Sequence, residues 1–158
     1  ELVFPWIPFL TGGKKRLSDI EYLSIKEFDS KLVQADGTAT ATGDLASLTA
    51  SSGKDMYLAK ARINVGYTGA TGFNEVGANI VLKVNGTVVE TVNARFIRSS
   101  VEIDSVMTYN YDFSNIGQKV AATEIIKLEV ISISSTSITV AGALVCFEET
   151  TGDSPAIS

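Results

Sequence analysis

The feature that most constrains this chain is a two-residue alternation of apolar and polar side chains. It recurs from Asp36 to Glu148 in runs separated by Gly, Asn and Ser. Successive side chains of a strand point to opposite faces, so such runs specify half-buried strands. The clearest case is Asn79–Val84 and Thr87–Val92, which flank Asn85-Gly86. A type I′ turn needs positive φ at both central residues, and Asn-Gly supplies it, so this stretch reads as a tight hairpin with Ile80, Leu82 and Val84 on one face.

Other runs follow the same rule. Thr38-Ala39-Thr40-Ala41-Thr42 alternates up to Gly43-Asp44. Ser51-Ser52-Gly53 reads as a turn into a strand over Asp55–Val65. Tyr57, Ala59, Ala61, Ile63 and Val65 form its apolar face, expected inward, with Met56, Leu58, Lys60 and Arg62 opposite. Gly66–Gly72 reads as a loop. In Val101–Phe113, Met107, Tyr109, Tyr111 and Phe113 share one side, while Thr108, Asn110 and Asp112 share the other. Glu124–Ile133 places Ile126, Leu128 and Val130 inward, then changes parity at Ile131 and Ile133, which predicts a bulge or a change of sheet. Ser137–Glu148 places Ile138, Val140, Leu144 and Cys146 inward. Seven to nine strands about ten residues apart, without a convincing long helix, predict an all-β fold: an antiparallel β-sandwich, jelly-roll-like.

Residues 1–36 differ in texture and divide from a sandwich domain over 37–148 and a flexible polar tail over 149–158. Ser18-Asp19-Ile20-Glu21 fits a helix capping box, but Tyr22–Lys26 alternates and favours a strand. Leu2–Leu10 is densely apolar and holds Pro5 and Pro8, which bias it towards an extended path. Two readings stay open: an arm packed on its own core, or an arm docked on a neighbouring subunit. The second makes Phe4, Trp6, Ile7, Phe9 and Leu10 subunit-interface residues, consistent with the aggregation hazard of an uncovered apolar run. Lys14-Lys15-Arg16 reads as a solvated turn.

Composition removes most chemistry. The chain has no histidine and one cysteine, Cys146, so internal disulfides, Cys/His zinc sites and imidazole catalysis are excluded. The Ser-His-Asp triad is therefore unavailable, no Gly-x-Ser-x-Gly elbow occurs, and Cys146 lies on an inward face. No catalytic residues, cofactor or metal are expected, and the chain is not expected to be an enzyme. A pI near 4.7 argues against nucleic acid as a partner, and no apolar stretch is long enough to span a membrane as a helix.

Weaker signals each have a plainer account. Gly66–Gly72 lacks the Lys-Ser/Thr of a phosphate-binding loop. Glu102 and Asp104, with Asp112, could bind calcium or act as acid and base, but they sit on a predicted solvent face. Asn85-Gly86-Thr87 is a glycosylation sequon that the turn explains without a glycan. Trp6, Tyr67, Phe73, Tyr109 and Tyr111 could form a sugar platform, although the parity of Tyr109 and Tyr111 points to the core. Residues 1–100 carry a net charge of +1 and residues 101–158 a net of −6; opposite potentials of this kind favour head-to-tail association.

The segment Ser51-Ser52-Gly53-Lys54-Asp55-Met56-Tyr57-Leu58-Ala59-Lys60-Ala61, then a Gly-rich loop and Ile80-Val81-Leu82-Lys83-Val84-Asn85-Gly86, resembles small β-sandwich and jelly-roll structural proteins of viruses and bacteriophages. The likeness covers roughly residues 50–148 and rests on turn and strand motifs. It implies a virion or other surface-assembly role as a homo-oligomer, with no catalytic residues to carry over. The expectation is a non-enzymatic subunit of a viral particle (capsid, decoration, tail or spike) that assembles through its N-terminal arm. Its partners would be copies of itself and other virion or surface proteins, at the virion or an extracellular surface. The alternatives are a cell-surface filament subunit assembling by strand addition and a carbohydrate-binding module.

Overall fold

The computed structural model describes residues 31–69, 75–97 and 105–151. The readings on Leu2–Leu10, Ser18–Lys26, Phe73, Glu102 and Asp104 lie outside these residues. Nine strands follow one another: β1 (Lys31–Ala39), β2 (Gly43–Thr49), β3 (Lys54–Gly69), β4 (Glu75–Val84), β5 (Thr87–Ile97), β6 (Ser105–Asp112), β7 (Lys119–Val120), β8 (Ile125–Ile133) and β9 (Ile138–Thr150). The first strand thus begins at Lys31, and the last carries two residues past Glu148.

Two antiparallel sheets form a sandwich, in the orders β1-β9-β3-β6, with β7 also on β3, and β2-β8-β4-β5. With β7 set aside, the pairs β1·β9, β2·β8, β3·β6 and β4·β5 are nested, like one long hairpin wrapped into two layers. That is a jelly roll. The ribbon folds back on itself at Asn85 (φ 48°) and Gly86 (φ 86°), as the Asn-Gly signal predicts.

The core lies between the sheets. Ile80 and Leu82 of β4, Ile126, Leu128 and Val130 of β8, and Val140, Leu144 and Cys146 of β9 all pack into it. The parity expected for β6 also holds: Phe113, just past the strand, is buried, Met107, Tyr109 and Tyr111 pack against the core, and Thr108, Asn110 and Asp112 face solvent. The parity change in β8 is a bulge. Asn79 pairs with Ser132 but Ile80 with Val130, leaving Ile131 unpaired and exposed.

Three expectations need correction. In β3 the inward face changes part-way: Met56 and Leu58 are buried, then Ala61, Ile63 and Val65. The cause is a bulge at Ala59, since Leu58 pairs with Cys146 and Lys60 with Val145. Tyr57 and Ala59 are therefore not core residues. Thr40–Thr42 form a bend, not the end of a strand, and the chain then enters β2, where a register shift at Leu45 leaves Leu45 and Ala46 both buried. Finally, β3 continues to Gly69, into the stretch expected to be a loop.

Candidate interaction surface

On the outer face of the first sheet, β9 presents Thr139, Ala141, Ala143, Val145 and Phe147, the positions between its core residues. Register places β1 on one side and β3 on the other. Leu32, Phe147 and Tyr57 form one row; Gln34, Val145 and Lys60 the next. Asp36, Ala143 and Arg62 follow, then Thr38, Ala141 and Asn64. Short side chains between longer neighbours leave a shallow trough of about 400 Å³, lined by Asp36, Thr38, Arg62, Asn64, Ala141 and Ala143. Its floor is apolar and its rims are polar. At the Lys31 end it runs into two uncovered apolar side chains, Leu32 (59% exposed) and Phe147 (41% exposed).

The β3 rim is held by side-chain pairs to β6. Arg62 Nε donates to Asp112 Oδ1 at 2.8 Å and Nη2 donates to Oδ2 at 3.3 Å. This contact holds the Asp112 carboxyl below its ordinary pKa and supplies a definite role for a residue weighed above as a catalytic or calcium carboxylate. One turn of the pleat further on, Asn64 donates to Asn110. These groups stiffen the trough wall by satisfying one another.

Carboxylates elsewhere serve the fold. Glu90 on β5 accepts from Tyr111 Oη at 2.6 Å, and from the backbone N and Oγ of Ser114, both at 3.1 Å, joining the two sheets. Buried Asp55 accepts from the Ala122 amide at 3.0 Å and lies 3.4 Å from Lys119 Nζ. Buried Glu148 accepts from the Ser51 amide at 2.9 Å, and hydrogen bonding from Ser51 holds its carboxyl below the usual value. Burial raises the Cys146 thiol to about 11, which keeps it protonated and unreactive at neutral pH. Among the described residues no group of three or more His, Cys, Asp or Glu converges as a metal site.

The sugar-platform reading counts Tyr67 among its exposed aromatics, together with Trp6 and Phe73, which lie outside the described residues. Instead Tyr67 is buried, 5.9 Å from Phe96 in a stacked pair, so it is a core residue. Tyr109 and Tyr111 also pack against the core, as their parity predicts. The residues expected at a subunit interface, Phe4, Trp6, Ile7, Phe9 and Leu10, lie outside the described residues. The outward set on β9 was not singled out from sequence. Its signal was present, however: Ala141, Ala143, Val145 and Phe147 are apolar where a solvated strand alternates to polar.

No family model matches the chain, and no curated protein matches its sequence. Among solved structures it is similar to the Bacillus thuringiensis insecticidal δ-endotoxin Cry8Ea1, at 17% identity over 70% of this chain and 18% of that one, with a TM-score of 0.36. It is similar to the acid-stable capsid structure of Helicobacter pylori bacteriophage KHP30, at 10% identity over 75% of this chain and 92% of that one, TM-score 0.36. It is also similar to the infectious bursal disease virus VP2 subviral particle, at 19% identity over 80% of this chain and 34% of that one, TM-score 0.34. The chain thus spans about a fifth to a third of the endotoxin and VP2 chains, and the solved structures it resembles include viral capsid proteins.

Proposed function

We propose that the protein is a non-enzymatic structural subunit of a viral particle that assembles with copies of itself through its N-terminal arm. The observation that carries this reading is the outer face of β9: an apolar strip on a jelly-roll sandwich, left uncovered by the other described residues. An uncovered apolar strip beside polar rims marks a surface for a macromolecular partner. The viral assignment adds an analogy of fold, since jelly rolls recur in capsid and lectin domains. Burial of Tyr67 weighs against the lectin-like option. With Asp55, Glu90 and Glu148 engaged in structural contacts, and with no histidine in the chain, the surface favours association over catalysis.

Light scattering on the purified chain, with and without residues 1–10, tests the proposal. The expected result is a defined oligomer or larger particle that collapses to a monomer on truncation, with the melting temperature unchanged. A 16.8 kDa monomer for the full chain, or unaltered assembly after truncation, overturns it.

A further inference from the structure

Resting on the reading that the arm drives assembly, we infer that the β9 trough is the seat of Leu2–Leu10 from a second copy of the chain.

The arm's own sequence selects a face over an edge. A segment that joins a sheet edge as an added strand presents its N–H groups to that edge at every second residue. Pro5 and Pro8 have opposite parity, so whichever register the arm adopts, one proline falls where a donor is required. Strand addition, the mode of the filament alternative, is therefore disfavoured for this segment. A trough that receives side chains on an apolar floor makes no such demand.

Dimensions and chemistry agree with this seat. From Ala141 to Phe147 the floor runs seven residues, six steps or about 20 Å at the rise of an antiparallel strand. The nine residues Leu2–Leu10 span about 25 Å in a polyproline-like path, enough to cover the floor up to Phe147 and the Leu32 side chain beside it. The 20 residues between Leu10 and Lys31 reach at most about 70 Å when extended, so the arm can leave its own sandwich and cross a neighbour's. The floor side chains Ala141 and Ala143 are small enough to admit Trp6 or Phe9. The polar rims, Gln34, Asp36 and Thr38 on one side and Lys60, Arg62 and Asn64 on the other, flank the backbone of the occupant.

The test uses full-length chains. Ala143→Glu places a carboxylate on the half-buried floor, on the outer face between Asp36 and Arg62, and its melting temperature serves as the check that the variant folds. The concentration needed for half-assembly should rise at least tenfold, as it should on removing residues 1–10. A double variant, Trp6→Cys with Ala143→Cys, should form an intermolecular disulfide under mild oxidation, read as a ladder on a non-reducing gel. If the wild type assembles and Ala143→Glu assembles equally well, the trough is not the seat, while the arm reading stands. An intramolecular disulfide only, with the chain monomeric, assigns the arm to its own sandwich and overturns the second-copy occupant. A wild-type chain that never assembles, with no disulfide formed, overturns both.

Discussion

Strands β8 and β9 occupy the same place, second from the edge, in the two sheets, and their inner faces match. Ile126, Leu128 and Val130 of β8 meet Val140, Leu144 and Cys146 of β9 in one core. Their outer faces do not match. On β8, Lys127 lies 2.8 Å from Asp44 Oδ1 and 3.7 Å from Glu129 Oε1, and Glu129 is in turn 2.6 Å from Lys83. That chain of alternating charges ties β2, β8 and β4 together between the exposed Ile125 and Ile131. On β9 the corresponding positions are Ala141, Ala143, Val145 and Phe147. Both strands meet the demands of the fold; β8 keeps exposed Ile125 and Ile131 near its two ends with paired charges between them, whereas β9 is apolar at four successive outward positions. Where stability is served equally by either composition, the difference points to interaction.

The largest effect should be shared by both strands. Leu128→Ala and Leu144→Ala each remove a fully buried side chain and should each cost about 2–5 kcal/mol in denaturant unfolding; a negligible cost at either would break the equivalence of the inner faces. Next comes the tie between sheets. Tyr111→Phe removes the hydroxyl that donates to Glu90 and should lower the denaturant midpoint measurably but by less than either leucine variant, because a charged acceptor loses its donor, with no change in assembly. Loss of assembly in that variant would move the functional surface away from β9.

A smaller, pH-dependent effect should come from the end of β9. The Glu148 carboxyl is held below its ordinary value of 4.5 by hydrogen bonding from Ser51. Its contribution to stability is therefore fully present above that value and is lost as pH falls through the lower folded value. Melting temperature measured across this range should fall less steeply on acidification in Glu148→Gln than in the wild type; identical slopes would remove Glu148 from the account. The smallest effect should come from the outer face of β8. Lys127→Ala breaks a partly exposed ion-pair chain and should barely shift the unfolding midpoint, with assembly by light scattering unaltered. If this variant disassembles while Ala143→Glu does not, the roles of the two outer faces are reversed.

Much of the fold was legible because its signals are local. The hairpin depends on Asn85-Gly86 alone, and the inward sets of β6, β8 and β9 follow from the parity of their own residues. β2 escaped notice because the register shift at Leu45 buries two successive residues and erases the alternation. β7 has two residues and no period to read. In the candidate surface, the apolar outward positions of β9 were visible in the sequence, but the trough they form was not. Its walls come from Asp36 and Thr38 of β1 and Arg62 and Asn64 of β3, far away along the chain.

The sequence by itself determined the all-β class, the sharp turn and the inward parity of most strands, because each is a property of a short stretch and its exchange with water. The tertiary structure alone decided where that parity breaks and what lies beside what. The bulge at Ala59 exists because β3 must keep register with β9 while its inward face changes along its length. Tyr67 is a core residue because Phe96 lies across from it, and the floor of β9 is a trough because β1 and β3 flank it. Pairing between distant strands sets all three, and no local period encodes it.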